Sequence, residues 1–492
     1  MNNPLLCNDK HSKLNRTRVS GVEKPATEEE VIVIMTGAAR RGAKVSICGS
    51  RHAMGGQQFG TGTILVDLTS LKGLGPVNKE ARWVEIGGGM TWPEIITGLH
   101  EQQANQEEVL SIRQKQTGAD DLTIGGALAA NIHGRGLSMK PIINDVEAFT
   151  LINANGRKLR CSRNENTEMF RLAIGGYGCF GIITSVQLRL SPKIKLKRVV
   201  EVATTAQAIE KLTERSRSGY LYGDFQFSID ESSADFLNKG ILSCYRPVAH
   251  ETPMPSSQKK LQASDWMDLI TLAHLDRGTA FQKYTDFYLQ SNGSLYWSDT
   301  HQLTVYLEDY HTQLDQDLGA KVPGSEMISE LYVPREKLTV FMKRAAAFLK
   351  SDDVQLIYGT IRLIQKDDES FLPWAQEDYA CVIFNLHTDH DEDGIARSAA
   401  AFRGLIDLAT RLGGSYYLTY HRWARKDQIL KAHPRMIDFL KEKRRHDPNC
   451  RFASNWWKHH DRLFESHLPR NGNISPNSPT RPSDANLQAQ HL

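Results

Sequence analysis

Apolar residues change their period along this chain, and the changes mark out its elements. Val31, Ile34 and Met35 recur at helical spacing behind Thr27, an N-cap with Glu30 three residues on, which predicts a helix opening near Pro25. Val45 to Ile47, Thr63 to Leu68 and Arg82 to Ile86 are short runs with the β-branched content of strands. A second capping box, Thr91 with Glu94 and with Pro93 in the first turn, predicts the next helix. A helix over 167–172 leads into a strand over 182–190. From 198 to about 415, strand-like runs (Gly223 to Ile229, Ser294 to Trp297, Ala380 to His387) alternate with helical ones (Pro334 to Leu349, Gly394 to Leu412). A polar patch at 253–260 and the segment 264–290 read as an insert. A last strand, Ser415 to Tyr420, leads to helices around Gln428 to Lys431 and Met436 to Lys443.

Glycines gather where these elements meet. Gly49, Gly55, Gly56, Gly60 and Gly62 surround His52 after the first strand, and Gly87 to Gly89 follow the third. Small residues dominate 118–136, with His133 among them, and Gly175, Gly176, Gly178 and Gly181 form the fourth group. Without Cβ atoms, successive amides can converge on anion oxygens, and a flat ligand can lie against bare backbone. Tight turns with a surface histidine are the plainer alternative. Gly176, Gly178 and Gly181 satisfy G-x-G-x-x-G, but a dinucleotide fingerprint needs a strand before it and a helix after. The order here is the reverse, which argues against a nicotinamide Rossmann domain.

Composition narrows the class. The chain has 492 residues, a net charge of +3 and 40% hydrophobic residues, enough for two or three domains and too balanced to suggest nucleic acid or membrane binding. The run Lys441 to Arg445 reads as a solvated helix face. No signal-peptide pattern or bilayer-length apolar run occurs, and the seven cysteines are scattered, which points to reduced thiols in a cytoplasmic protein. His387-Thr-Asp-His-Asp-Glu-Asp contains metal-capable side chains, but its polarity just before a helix reads as a solvated loop, and no metal is expected.

The four glycine groups in this order resemble the flavin-binding domain of the vanillyl-alcohol oxidase family. Gly49-Ser-Arg-His-Ala-Met is similar to the turn that carries a flavin-linked histidine in alditol oxidases and cytokinin dehydrogenases. Thr123-Ile-Gly-Gly-Ala-Leu-Ala-Ala-Asn-Ile-His-Gly is similar to the segment that lies along the flavin in decaprenylphosphoryl-ribose and aldonolactone oxidases, and the ending from His433-Pro to Phe452-Ala-Ser resembles theirs too. The resemblance implies an α+β fold: a PCMH-type two-subdomain FAD-binding domain over 14–195, after a flexible 1–13, and an α+β substrate or cap domain with an antiparallel sheet over 196–415. Residues 416–468 would return to the FAD domain and complete the active site, before a disordered tail at 469–492.

The resemblance also implies FAD, attached through His52. The implied contacts are Gly49, Ser50, Arg51, His52, Ala53 and Gln57 in the first turn, and Gly118, Asp121, Thr123, Gly125, Gly126, Ala129, Asn131, His133 and Gly134 in the third segment. Gly181 and Ile183 complete the set. No cysteine falls in 114–136, so a second covalent link is not expected. The chain departs from alditol and aldonolactone oxidases where they carry a lysine at the end of the last substrate-domain strand, here Tyr420, and from alditol oxidases where Glu-x-Arg becomes Thr360-Ile-Arg362. Their next histidine falls near Asn385, with His387 two residues on.

The implied activity is oxidation of an alcohol, lactol or sugar-like CH–OH group by hydride transfer to flavin N5, with O2 or a quinone-type acceptor. Tyr420, Arg362, His133 and Asn385 are the implied catalytic residues. A base must take the hydroxyl proton, from His133, Tyr420 or His421, with Arg362 steadying negative charge. His421 reads as structural, Tyr420 could be an ordinary strand aromatic, and Arg362 could belong to a core ion pair. The alternatives are an NADPH-linked C=C reductase of the same fold and a non-catalytic flavin-fold binding protein.

Overall fold

The computed structural model describes residues 5–258, 260–304, 307–351 and 354–468, so the expected tail at 469–492 lies outside the described residues. The first helix forms over Glu28–Arg40, where the Thr27 hydroxyl accepts from the Glu30 N–H at 3.2 Å and the Glu30 carboxylate accepts from the Ala26 N–H at 2.7 Å. Its apolar face, Val31, Met35 and Ala38, packs on a parallel sheet in the order Gly21–Glu23, Ile64–Asp67, Val45–Cys48. Parallel strands need a crossover, and this helix supplies the one between Gly21–Glu23 and Val45–Cys48.

A second sheet runs in the order Trp83–Gly87, Ile182–Pro192, Val146–Ile152, Lys158–Ser162, all antiparallel, with Leu110–Ile112 paired to the far end of Ile182–Pro192. The G-x-G-x-x-G match does follow a helix, Thr167–Ala173, and precede a strand. Gly87 to Gly89 serve packing between the two sheets. A Cβ on Gly88 would stand 2.4 Å from the Ile183 carbonyl oxygen, and one on Gly89 1.9 Å from that of Leu68.

The third sheet is antiparallel and has eight strands. Their order is Leu295–Trp297, Lys195–Thr204, Lys239–Pro247, Tyr222–Phe227, Leu356–Ile364, Tyr379–Asp389, Gly324–Pro334, Ser415–Tyr416. Helices Thr205–Arg217, Leu338–Ser351 and Glu392–Arg411 pack on it. The segment 264–290 forms two helices, Ala263–Leu275 and Arg277–Gln290. The chain end returns to the parallel sheet: Phe452 bridges Val45, whose N–H donates to the Arg451 carbonyl at 2.7 Å and whose carbonyl accepts from the Ala453 N–H at 2.9 Å.

Three expectations fail here for physical reasons. Residues 5–13 are packed, because the buried Asp9 carboxylate accepts N–H bonds from Lys13 at 3.1 Å and Asn15 at 3.2 Å and the strand Leu5–Cys7 pairs with Thr17–Val19. The last strand is only Ser415–Tyr416, and the rest of 415–420 is irregular. The run Lys441 to Arg445 is not a solvated face: Lys443 and Arg444 are buried and paired with Asp447 and Asp461. All seven cysteines are unpaired, and no described helix is long and apolar enough to cross a membrane.

Burial pushes the imidazoles of His421, His433 and His460 down to about 3 from an ordinary 6.5. Unfolded, each binds a proton below about pH 6.5, whereas folded each resists until about pH 3, so the unfolded state binds more protons across that interval. Their contribution to stability is complete above the unfolded pKa and falls as pH drops through the window. The thermal midpoint should therefore decline steadily from pH 7 to pH 4; a flat profile would contradict neutral burial of these rings.

Candidate active site

The first glycine turn is fixed from three sides. Arg51 adopts a left-handed φ of 65°, its guanidinium donates to Asp67 at 2.9 Å, and its carbonyl accepts from the Lys10 N–H at 2.9 Å. A Cβ on Gly49 would fall 2.1 Å from the Thr123 hydroxyl, so glycine lets this turn press against the third segment. His52 then meets Asp121, with Nε2 2.7 Å from Oδ1, while Lys10 reaches the other oxygen at 2.8 Å. Burial opposes the charge on Asp121, but the bonds from His52 and Lys10 hold its carboxyl far below the usual range.

Thr123 caps the short helix Ile124–Ala130, which ends at Asn131 in a left-handed conformation, φ 49°. Gly125, Gly126, Ala127, Ala129 and Ala130 present a nearly side-chain-free wall to a cavity of about 1000 Å³. That volume stands at the top of the range for small-molecule sites, about 300–1,000 Å³. The third, fourth and first glycine segments all line it, and the eight-stranded sheet closes the far side through alternate residues of its strands: Glu326, Ile328 and Glu330, then Ile383 and Asn385.

Glu330 is the centre of the far end. It is buried, and its carboxylate is bonded by His133 Nε2 and by the Tyr332 hydroxyl; the Tyr420 hydroxyl donates to it at 3.2 Å and the Cys381 thiol at 3.4 Å. His133 Nδ1 lies 3.0 Å from the Gly134 carbonyl, which can only accept, so Nδ1 donates there and Nε2 is the atom turned to Glu330. Burial opposes ionisation of Glu330, yet His133 and Tyr332 pull its carboxyl down to about 2. Burial, reinforced by Glu330, drives the Tyr420 phenol well above its ordinary value, so this tyrosine is a donor and not a base.

Arg362 is buried beside this centre, donates to the Thr117 hydroxyl, and has no carboxylate within ion-pair distance among the described residues. The core ion pair considered for it is absent there. Its Nε, together with Asn385 Oδ1, Gln226 Oε1, Asp224 Oδ1 and Arg135 Nε, is buried without a hydrogen-bond partner, and all five residues line the cavity. Buried polar atoms left unpaired are expensive, so a row of them around one cavity marks where an oxygen-rich ligand completes the set.

Of the residues expected to contact FAD, Gly49, Ser50, Arg51, His52, Ala53, Gln57, Gly118, Thr123, Gly125, Gly126, Ala129, His133, Gly181 and Ile183 all line the cavity. Asp121 acts through His52. Asn131 does not reach the cavity: its amide donates to Asp367 at 2.8 Å and accepts from the Ile143 N–H at 3.2 Å. Gly134 is a close-packing position, 2.6 Å from Lys115 carbonyl oxygen to a would-be Cβ. The catalytic expectations Tyr420, Arg362, His133 and Asn385 all line it, whereas His421 stacks on Phe402 at 4.6 Å, structural as expected though not on a strand. Sequence reading missed Glu330; its signal was two glutamates four residues apart in Gly324–Pro334, on the face alternate to apolar neighbours.

Comparison with known proteins supports FAD as the cofactor. A family model for an FAD-binding domain matches residues 19–162. Mouse L-gulonolactone oxidase is 22% identical across 88% of this chain and 93% of its own length. The L-gulono-1,4-lactone dehydrogenase of Mycobacterium tuberculosis (strain ATCC 25618 / H37Rv) is 27% identical across 89% of this chain and 95% of its length.

The chain carries an FAD-binding domain of the type found in the vanillyl-alcohol oxidase family, with aldonolactone oxidases among its full-length relatives. It is an FAD-dependent oxidoreductase with the α+β, PCMH-type fold of that family. The likeness to cytokinin dehydrogenase 10 of Oryza sativa subsp. japonica, 28% identical, spans 37% of this chain and 35% of that protein. Within the family fold, the cavity's bare wall, its two glycine turns and its unpaired polar rim suit a flat cofactor with a small polar substrate beside it.

Proposed function

We propose that this flavoenzyme oxidises a CH–OH group of a sugar lactone, lactol or related polyol, with oxygen or a quinone-type compound as acceptor. The observation that carries the reading is the pairing of Glu330 with His133 and Tyr420 at the end of a cavity whose near wall is the glycine-built segment 123–133. Two full-length relatives named for gulonolactone support the substrate class.

When bound, FAD supplies the two-electron acceptor for the hydride that leaves the carbinol carbon. The Glu330 carboxylate, kept ionised by His133 and Tyr332, is the acceptor for the hydroxyl proton, with His133 beside it. Tyr420 donates to Glu330 and fixes its orientation. Arg362, with its unpaired Nε, holds the oxygen on which negative charge develops. Asp224, Gln226 and Asn385 recognise the remaining substrate hydroxyls. His52 is proposed to carry the flavin: Asp121 receives its Nε2–H, which leaves Nδ1 with the lone pair of a neutral nucleophile.

Anaerobic mixing with aldonolactones, aldoses and polyols tests the function: bleaching of the flavin by one of these supports it, and bleaching by NADPH alone would replace it with a reductase. Acid precipitation tests the tether. Wild type should give a yellow, fluorescent pellet, His52→Ala a colourless one with flavin in the supernatant, and Asp121→Asn an intermediate. Flavin released from wild type would refute the link.

A further inference from the structure

The expectation that His387 sits in a solvated loop is overturned, because it lies on Tyr379–Asp389 and turns inward to a buried carboxylate. His387 Nδ1 and His274 Nε2, the latter from the helix Ala263–Leu275, each approach Glu326 Oε1 at 3.1 Å. The two rings are 4.9 Å apart and nearly perpendicular. The other oxygen, Oε2, is held by the Tyr310 hydroxyl and by His311 Nδ1 at 3.0 Å.

We propose that His274, His387 and Glu326 form a binding site for a divalent transition ion of the zinc class. Three ligand atoms at about 2.0–2.2 Å from a tetrahedral ion stand about 3.4 Å from one another; here each imidazole nitrogen is 3.1 Å from Oε1 and all three atoms lie within 4.8 Å of one another. The outer groups are those such a site needs. Asp389 Oδ1 lies 3.5 Å from His387 Nε2, a second carboxylate behind the ring whose Nδ1 faces Glu326. The His311 Nε2–H donates to the His11 carbonyl at 3.0 Å, which fixes the ring with Nδ1 toward Glu326 Oε2. A carboxylate oxygen faced by two imidazole nitrogens takes either protons or a cation between them, and an ion held by His274, His387 and Oε1 leaves Oε2 with Tyr310 and His311. Two neutral imidazoles and one carboxylate select zinc-class ions over calcium or magnesium.

Glu326 and Tyr310 line the large cavity, which gives the ion access and leaves a coordination position for water or a substrate oxygen. The site would also clamp the helix Ala263–Leu275, part of the cavity wall, to the sheet. It stands independently of the flavin reading, because its ligands are not those assigned to FAD or to proton transfer.

The full chain, stripped with chelator, is titrated with Co2+ and followed by visible absorption and metal content. The proposal expects uptake of about one Co2+ per chain with d–d bands of four- or five-coordination, displaced by Zn2+. His274→Ala, His387→Ala and the near-isosteric Glu326→Gln should weaken uptake more than tenfold, and His390→Ala, whose ring bonds Ser325 at 2.9 Å, should leave it unchanged. Wild type that fails to retain stoichiometric Co2+, or ligand variants that fold and bind as wild type does, would overturn it.

Discussion

Glu330→Gln should slow reduction of the flavin by substrate about 10²–10⁴-fold, the range that a positioned general base contributes. The change keeps side-chain volume and leaves one carbonyl oxygen for Tyr332 or Tyr420 to donate to, the other facing the new amide NH2, and it removes the charge against which His133 Nε2 is set. Proton transfer then loses its acceptor, while the His52 turn keeps its own bonds to Asp67 and Lys10. Flavin content should stay that of wild type. Stopped-flow reduction under anaerobic conditions reads the effect, and a loss below tenfold would take the base role away from this carboxylate. Tyr420→Phe should cost less, since it deletes one orienting bond and not the charge.

Asp447→Ala should cost about 3–5 kcal/mol of stability, the penalty for leaving one member of a buried ion pair uncompensated. Lys443 and Asp447 are 0% and 2% exposed, and the ammonium lies over the rings of Trp457 and Phe452, at 5.2 and 5.8 Å. The carboxylate also accepts from the backbone N–H of Arg451 at 2.8 Å and of Phe452 at 2.9 Å. Those residues flank the bridge to Val45, the strand that empties into the His52 turn, so the lost stability should be accompanied by weaker flavin retention. Denaturant midpoints measure it. Replacing Lys443 by Met in the Asp447→Ala background should recover more than half, because the unpaired charge is what costs most. A single variant within about 1 kcal/mol of wild type would mean that water reaches the pair.

These two residues differ in how far the sequence announced them. The glycine turn around His52 was legible because it rests on local chemistry: a strand, a run without side chains, and one titratable ring. The order of the fourth group, helix before and strand after, sufficed to set aside a Rossmann reading. Glu330 was not legible as a site residue, since its role depends on pairing Gly324–Pro334 between Tyr379–Asp389 and Ser415–Tyr416, and register across a sheet is non-local. The same holds for His274, His387 and Glu326, which three different elements bring together. Lys443 was misread because a charged run at helical spacing resembles a solvated face until the chain end folds over it. Residues 5–13 looked loose for the opposite reason: their polar side chains satisfy one another and the backbone, with Asn15 reaching the Met54 carbonyl at 2.6 Å.

The central claim is that backbone freed of side chains in three separated segments seats one flavin beside the Glu330–His133 pair. A crystal structure of the purified yellow protein tests it most directly. The account predicts the isoalloxazine against residues 123–133, its methyl-bearing edge at His52 and its reactive side turned toward Glu330, Tyr420 and Arg362. Flavin bound away from that wall, or a His52 ring facing away from the cofactor, would contradict it.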